Sequence, residues 1–386
     1  MATIGSELAR EIVERTMKII PFNVNVMDAR GIIIGSGNPD RVGSLHPGAQ
    51  LALAKRDIVE IDHAAAGKLP GAKAGINLPL SVRGAICGVV GITGTPDDVR
   101  QFGGLVRVTA EMILEQALLI GELQHEKRYR EEFVFQLANQ SGISAASMNA
   151  WAARLEVDLR QSSAFFVLQL AHENDRPDLA MPALQGVQSE LAMHWPELLT
   201  AVISPGELAL FEPFAVAGSP TLRGAAARKR LEELHGAMGR SLNMAASLAM
   251  GIALPGLDGA AASYESARQT ARVGRLRSPE SSIFSYYDLS LPVLLSGLEP
   301  GWQAGQLRQP LARLQAADRK SGILMKTLAA WFHHDNHAAP TAKALHIHRN
   351  TLDYRLQKIG ELTGLDLSYV DDRLLLYVAM QLKNPG

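Results

Sequence analysis

Residues 341–359 read TAKALHIHRNTLDYRLQKI, and this stretch decides the architecture of the C-terminal part of the chain. The spacing of its apolar residues predicts two short helices joined by a tight turn. The inward-facing positions are Ala342, Leu345, Ile347, Leu352, Leu356 and Ile359. Two helices with this spacing form a helix-turn-helix, in which the second helix enters the major groove when the motif binds DNA.

The outward face of the second helix carries residue types that read bases. Asn, Thr and Tyr stand there among Lys and Arg, whereas a merely solvated helix usually mixes Lys with Glu. Within residues 340–360 four Lys and Arg oppose one Asp, a local charge of +3 on a chain of net charge −1. We predict DNA contacts from Lys343, His348, Arg349, Asn350, Thr351, Tyr354 and Lys358.

Two alternatives stay open for this basic surface. A helical hairpin can carry a basic face simply because that face is solvated. Arg355 lies about 60° from the apolar stripe of the second helix, so bracing of the fold is as compatible with its position as DNA contact.

Composition limits the classes of protein to which the chain can belong. Its 386 residues hold 38 Lys and Arg against 39 Asp and Glu, so no overall field attracts polyanions. The single cysteine, Cys87, excludes an intramolecular disulfide framework and a cysteine-rich zinc site. The charged N-terminus does not resemble a signal peptide, and the apolar runs are shorter than the ~20 residues of a membrane span. We therefore expect a cytoplasmic protein without membrane contact.

The first 137 residues predict an α+β sensor domain of PAS or GAF type. Apolar residues at every fourth position indicate a helix over residues 4–20, and alternation of polar and apolar residues then indicates strands. The predicted strands cover residues 23–27, 32–34, 57–61, 75–82 and 86–93. A helix followed by an antiparallel sheet with a long polar loop matches that layout by analogy.

A long helix is predicted over residues 104–137, where no proline interrupts recurring apolar residues. It packs either against its copy in a dimer or against its own domain. Residues 138–295 predict a mixed α/β domain, and residues 296–386 predict an all-helical domain. Within the α/β domain we predict strands at 165–170, 207–211 and 250–254 and helices at 222–237 and 263–273.

Both ends of the chain resemble one family of transcription factors. Residues 342–359, followed by ELTG at 361–364 and DDRL at 371–374, resemble the PucR-type helix-turn-helix. Several N-terminal runs resemble the sugar diacid recognition domain, and the whole resembles the carbohydrate diacid regulator family. These runs are NVMDARG (25–31), IGSG (34–37), GINLPL (75–80), GVVGITG (88–94) and TAE (109–111).

The resemblance implies a degenerate GGDEF-like domain in the middle of the chain. Because no Gly-Gly-Asp/Glu-Glu-Phe run is present, cyclase activity is not expected. The family usually has an acidic residue after Gly-Ser-Gly, where this chain has Asn38.

A small acidic ligand has candidate contacts in the glycine-rich loop at residues 35–48 and in the segment at 73–77. Arg41 and Lys73 offer positive charge for carboxylates, while side-chain hydrogen bonds and close backbone approach serve the rest of a sugar acid. The predicted ligand residues are Ser36, Gly37, Arg41, His46, Lys73, Gly75 and Asn77. Other roles remain open, since a loop Arg is often solvated, His46 can cap a helix and Asn77 can stitch a strand edge.

Signatures of catalysis are weak. The phosphate-loop pattern fails around Gly67 and Lys68, and the histidines at 333–337 lack an accompanying HExxH motif. Cys87 lies in an apolar strand, which indicates a buried small hydrophobe. We expect no catalytic residues, no metal and no cofactor.

The sequence predicts an α+β multidomain regulator with a PAS/GAF-like sensor, a degenerate GGDEF-like middle domain and a helix-turn-helix. We expect it to bind operator DNA as a homodimer and to act as an activator in the use of glucarate, galactarate or glycerate. The alternative is a small-molecule-binding signalling protein or enzyme that does not contact DNA.

Overall fold

The computed structural model describes residues 4–139, 142–171, 177–215, 218–239, 242, 244–298 and 301–382. The chain forms two compact units that divide between Arg128 and Tyr129. The first unit contains one antiparallel sheet, and the second contains another sheet and a group of helices at the C-terminal end. The predicted α+β multidomain class is confirmed.

The first unit is built around a five-stranded sheet with the order β2-β1-β5-β4-β3, in which all neighbours are antiparallel. The strands β4 and β5 form a hairpin. Its elements are α1 (Ser6–Met17), β1 (Val24–Asp28), β2 (Ile33–Ser36), α2 (Pro47–Lys55), β3 (Val59–Ile61), α3 (His63–Ala66), β4 (Gly75–Val82), β5 (Ala85–Thr93) and the first part of α4 (Pro96–Asn139).

Both faces of this sheet are buried, because alternate strand residues point to opposite sides. Val24 and Val26 of β1 belong to a core shared with α1 and α4. Met27 and Val89 belong to a second core, which α2 covers from the other side. The N-terminus of α2 is thereby held directly above the middle of the sheet.

The second unit contains a sheet with the order β10-β9-β6-β8-β7, in which only the β9–β10 pair is parallel among the described strands. The central strand β6 buries Phe166 and Leu168 with α6 and α7, and Phe165 and Val167 with α8. Its elements are α5 (Ala145–Arg154), β6 (Ser163–Leu170), α6 (Pro177–His194), β7 (Leu199–Ser204), β8 (Glu207–Pro213), α7 (Pro220–Met238), β9 (Ala246–Met250), α8 (Gly256–Arg277), β10 (Ile283–Ser285) and α9 (Tyr286–Ser296).

The C-terminal helices pack around a separate apolar core that includes Leu314, Leu328, Ile359 and Leu376. The end of α8 also contacts this group, because Nη2 of Arg277 donates hydrogen bonds to the carbonyl and side-chain oxygens of Gln381. These helices are α10 (Trp302–Ala317), α11 (Ile323–His333), α12 (Ala338–Ala344), α13 (Arg349–Thr363) and α14 (Val370–Gln381).

Several predicted element limits differ from the structure, and those of three elements differ by four residues or more. Helix α8 begins at Gly256, seven residues before the predicted start at residue 263. The long helix α4 begins at Pro96, eight residues before the predicted start, because proline is well suited to the first turn of a helix. Just before it, Thr95 Oγ1 donates a hydrogen bond to the carboxylate of Asp98. Strand β9 covers Ala246–Met250 and not residues 250–254. After Met250 the chain meets α8 closely, since Gly251 lies against the carbonyl oxygen of Ser263. The predicted domain limits at 137 and 295 stay predictions.

Asp318 joins α10 to α11 and provides a test of how the helical group is held. Its Oδ2 accepts a hydrogen bond from the backbone N of Met325 at 2.9 Å, and its Oδ1 accepts one from Ser321 Oγ at 2.6 Å. Burial alone would raise the pKa of Asp318, but these hydrogen bonds outweigh burial and lower it. The carboxylate is therefore the cap of α11.

Replacing Asp318→Ala should cost about 2 kcal/mol of local stability, because two partly buried hydrogen bonds to a charged acceptor are lost. Amide hydrogen exchange in residues 323–333, followed by mass spectrometry, should become roughly thirtyfold faster. The control variant Lys320→Ala removes an exposed side chain from the same turn and should leave the exchange unchanged. Equal exchange in the two variants would show that the cap is dispensable.

Candidate functional site

A row of polar residues crosses the sheet of the first unit on the face that α2 covers. Ser36 is paired with Asn25, Asn25 with Gly91, and Gly91 with Asn77, so these residues stand side by side on successive strands. Asn25 and Asn77 are buried. Because Gly91 has no side chain, the two asparagines flank a stretch of bare backbone.

Asn77 has an unused hydrogen-bond acceptor at this position. Its Nδ2 donates to the carbonyl of Val59 at 3.5 Å, while its buried Oδ1 has no partner among the described residues. A buried amide oxygen without a donor is costly, which makes it a candidate ligand contact.

The N-terminus of α2 lies against Asn77. A Cβ atom at Gly48 would stand 2.6 Å from Nδ2 of Asn77 and 2.6 Å from Cδ1 of Ile61, so only glycine permits this approach. The first turn of a helix has free backbone N–H groups that favour anions. We call Arg41, His46, Gly48 and Asn77 the α2 cluster.

His46 caps α2 and is held in one neutral form. Its Nδ1 accepts a hydrogen bond from the backbone N of Ala49 at 3.2 Å, so the ring proton is on Nε2. Burial and, second, the positive charge of Arg41 lower the pKa of His46 to about 4. His46 therefore offers an uncharged N–H donor at neutral pH, in addition to the capping role that the sequence left open.

Arg41 is the cation of the cluster. It ends a 3-10 turn at Pro39–Arg41, and its Nη2 donates to the carbonyl of Gly71 at 3.1 Å. Its Nη1 is buried and has no partner among the described residues. Burial lowers the pKa of Arg41, but a guanidinium remains protonated at neutral pH. Nη2 of the guanidinium group is therefore held by Gly71, and Nη1 is the candidate ligand contact.

The other predicted ligand residues have different surroundings. Ser36 Oγ donates to Asn25 Oδ1 at 2.6 Å and accepts from the backbone N of Asn38, so it ties β1 to β2. A side chain at Gly37 would collide with Met17 and Asn23, and one at Gly75 would collide with the carbonyl of Ile92. Lys73 is exposed. The structure therefore gives Ser36, Gly37 and Gly75 packing roles, and their ligand contacts stay predictions.

Asn25 is a polar residue of this region that the sequence interpretation missed. It is 1% exposed, and its Oδ1 accepts hydrogen bonds from Ser36 and from Asn23 Nδ2 at 3.2 Å. The alternation in residues 23–27 predicts a strand with one polar and one apolar face. A sheet covered on both sides buries that polar face as well.

The second candidate site is the helix-turn-helix formed by α12 and α13. Leu352 and Ile359 are buried against the neighbouring helices, as predicted, and His348 caps α13 by accepting from the backbone N of Asn350 at 3.3 Å. The opposite side of α13 is open. The exposed predicted residues are Lys343, His348, Arg349, Asn350, Thr351 and Tyr354.

Three basic residues of this motif differ in how freely they can bind DNA. Lys358 Nζ is 2.9 Å from Glu361, so it is already paired, whereas Arg349 is only loosely paired with Asp353 at 3.8 Å. Arg355 Nη1 donates to Thr327 Oγ1 at 3.3 Å and links α13 to α11. Arg349 is the most available of the three, and Arg355 braces the motif.

Within the described part of the chain, no helix is long and apolar enough to cross a membrane. The same residues contain no group of three or more His, Cys, Asp or Glu side chains that could hold a metal ion. Cys87 is buried, and burial raises the pKa of its thiol.

Three known families match successive parts of the chain. Residues 4–137 match the sugar diacid recognition family, residues 140–273 the GGDEF-like domain, and residues 324–382 the PucR C-terminal helix-turn-helix domain. A sugar diacid recognition domain, a GGDEF-like domain and a PucR-type helix-turn-helix in this order define a class: the protein is a helix-turn-helix regulator of transcription.

Full-length relatives identify the family within that class. The Escherichia coli (strain K12) protein named Carbohydrate diacid regulator is 45% identical over 379 residues, which cover 98% of each chain. The chain belongs to the carbohydrate diacid regulator family, as its sequence motifs indicated. A Haemophilus influenzae protein of uncharacterised function is 35% identical over 97% of this chain and 98% of its own.

A shorter similarity links the chain to a different regulator. The DNA-binding transcriptional activator AdeR of Bacillus subtilis is 29% identical over 125 residues, which cover 32% of this chain and 30% of AdeR.

The neutral form of His46 can be tested directly. The chain has 11 histidines. With 13C-labelled histidine, the imidazole signal that disappears in His46→Asn should stay unshifted between pH 8 and pH 5.5, because its pKa is about 4. Asn retains the ability to cap α2. A signal that disappears with this substitution but titrates near pH 6.5 in the wild-type protein would show that the ring is not buried and neutral.

Proposed function

We propose that this protein controls genes for the use of carbohydrate diacids and related hydroxyacids, and that its effector binds at the α2 cluster. The observation that carries the proposal is the presence there of a cationic N–H and an amide oxygen that have no partner among the described residues, together with a neutral imidazole N–H. The name of the Escherichia coli relative supports the class of effector. The proposal assigns no catalytic step to the chain.

The chemistry of the cluster suits a small acid that also carries hydroxyl groups. Arg41 Nη1 and the backbone N–H of Gly48 bind a carboxylate; Gly48 is the position concerned because Pro47 has no N–H and the N–H of Ala49 already donates to His46. A hydroxyl group next to that carboxylate donates to Asn77 Oδ1 and accepts from His46 Nε2. Glucarate, galactarate and glycerate all have this arrangement, and Lys73 is the candidate for the second carboxylate of the two diacids.

At the other end of the chain, Arg349 and Asn350 read bases in the major groove, because the first residues of a recognition helix lie nearest to the base edges. Thr351 and Tyr354 extend this surface, while Lys343, His348 and Lys358 bind phosphate. Two copies act together as an activator, since one helix-turn-helix reads only a few base pairs and specific sites combine two halves about 34 Å apart. Such a regulator works in the cytoplasm, where its DNA lies.

Substitutions in the helix-turn-helix should separate base reading from phosphate binding. Arg349→Ala and Asn350→Ala should each weaken binding to an operator selected from random DNA by about 1–3 kcal/mol, with less loss on unrelated DNA. Lys343→Ala should weaken binding to both DNAs alike and reduce the salt slope by about one. Fluorescence anisotropy at several salt concentrations measures all three.

Circular dichroism of the same variants controls for folding. If Arg349→Ala is folded and keeps the full operator affinity, α13 does not read the operator as proposed. If the wild-type chain binds no DNA at any salt concentration, a signalling role without DNA contact takes its place.

Substitution of Arg41 tests the effector site. Titration calorimetry of the full chain with galactarate, glucarate and glycerate should show binding that Arg41→Lys weakens tenfold or more, because a point charge cannot replace the planar fork. Lys55→Ala, at the far end of α2, serves as the matched control and should bind as the wild type does. Equal affinity in Arg41→Ala and the wild type would place the effector elsewhere.

Lys73→Ala distinguishes the two kinds of effector. If Lys73 binds a second carboxylate, this substitution weakens galactarate and glucarate but leaves glycerate unchanged. Equal binding of all three acids to Lys73→Ala and to the wild type would remove Lys73 from the site and leave Arg41 as the cation that matters.

A further inference from the structure

Strand β3 contacts the α2 cluster with one set of side chains and helix α4 with another. Successive residues of a strand point to opposite faces of the sheet. Val59 and Ile61 are buried in the core that α2 covers, whereas Glu60, between them, is exposed and reaches Arg100 of α4. One strand of three residues therefore contacts both the proposed effector site and the start of α4.

On the α2 side, β3 contacts two residues of the α2 cluster. The carbonyl of Val59 accepts the hydrogen bond from Nδ2 of Asn77, and Cδ1 of Ile61 would stand 2.6 Å from a Cβ atom at Gly48. The proposed effector binds the backbone N–H of Gly48 and the Oδ1 atom of Asn77. Because Oδ1 and Nδ2 belong to one planar amide, a hydroxyl group that binds Oδ1 also constrains the donor to Val59.

On the other side, Glu60 is joined to the first turns of α4 by two hydrogen bonds. Nε of Arg100 donates to Oε1 of Glu60 at 2.8 Å, and Nη2 donates to Oε2 at 2.7 Å. Nη1 of the same guanidinium donates to Asp97 of α4 at 3.1 Å. The hydrogen bonds from Arg100 lower the pKa of Glu60, so its carboxylate is charged at neutral pH. A bidentate pair has a fixed geometry, and a displacement of β3 therefore acts on α4.

Among the strands of the first sheet, β3 is well placed to move. It is three residues long, lies at the edge of the sheet and pairs only with β4 among the described strands. Strand β4 is eight residues long and is paired on both sides. Elements held by few hydrogen bonds and contacts open at a low free-energy cost. A displacement that begins at Asn77 or Gly48 should therefore be larger in β3 than in β4.

We propose that β3 couples the effector site to α4, and that Glu60 and Arg100 form the connection. This inference rests on the proposed function, because it takes the α2 cluster as the effector site, and it adds the route by which occupancy of that site reaches α4. Helix α4 continues to Asn139, so its first turns are the beginning of a much longer element. Glu60 and Arg100 are positioning residues: their loss leaves effector binding intact and removes the response of the helix.

Amide hydrogen exchange of the full chain, with and without saturating galactarate, tests the coupling. In the wild type, galactarate should change the exchange rate of residues 96–103 about threefold or more. Glu60→Gln removes a charge and little volume, so this variant should bind galactarate as the wild type does in calorimetry, while the change in residues 96–103 disappears. Glu122→Gln is the matched control, since it breaks the bidentate pair of Glu122 with Arg83, between β4 and β5, and should keep the response.

The two variants together decide the outcome. Loss of the response in Glu60→Gln but not in Glu122→Gln supports coupling through β3. A wild type that binds galactarate without a change in residues 96–103, or a Glu60→Gln variant that keeps the full change, would overturn it. Loss of the response in both variants would overturn it as well, because α4 would then respond to any weakened contact.

Gly48→Ala tests the coupling without an effector. Its methyl group has to displace the side chains of Ile61 and Asn77, which join the α2 cluster to β3. Exchange in residues 96–103 should rise about threefold in Gly48→Ala, and adding Gly48→Ala to Glu60→Gln should cause no further rise. No rise in Gly48→Ala, or the same rise in both backgrounds, would contradict the coupling. If the wild type binds no acid but Gly48→Ala acts only through Glu60, the effector assignment fails and the coupling by β3 stands.

Discussion

Both described sheets are buried on both faces, and each part of α4 covers one face of the sheet in its own unit. Val106 and Ile113 enter the core of the first unit, and Phe133 and Val134 enter the core of the second. Removal of apolar surface from water stabilises a fold in proportion to the area buried, so these contacts fix the helix at both ends. What remains exposed on α4 is therefore the side that neither core can use.

The sequence was most informative where local pattern and tertiary burial agree. The strands of the first unit and the two helices of the helix-turn-helix follow directly from alternation and from the spacing of Leu352 and Ile359. The sequence was least informative in residues 140–290, where alanine is common and apolar residues do not recur at a regular spacing. Strand β9 was placed four residues late because its apolar residues continue past Met250, and only contact with α8 ends the strand there.

In the candidate sites, too, the sequence predicts residue types and general placement but not the partners that tertiary contacts create. Charge and residue type were enough to select Arg41, His46 and Asn77, which the fold places around the start of α2. They could not show that Ser36 is used to join two strands or that Lys358 is paired with Glu361, because such partners depend on distances that sequence does not contain. For Asn25 the alternation in residues 23–27 indicates the strand correctly, but it does not show that the polar face of that strand is buried.

Two glycines, Gly48 and Gly91, lie close to the side chain of Asn77. A methyl group at Gly91 would stand 3.1 Å from Oδ1 of Asn77, and one at Gly48 would press on Nδ2 of the same residue. The main chain at these two glycines therefore comes close to the side chain of Asn77, and a larger residue at either position would press on it. In evolution or in biosensor engineering, a change in the polar groups around Asn77 would therefore have to leave both glycines in place.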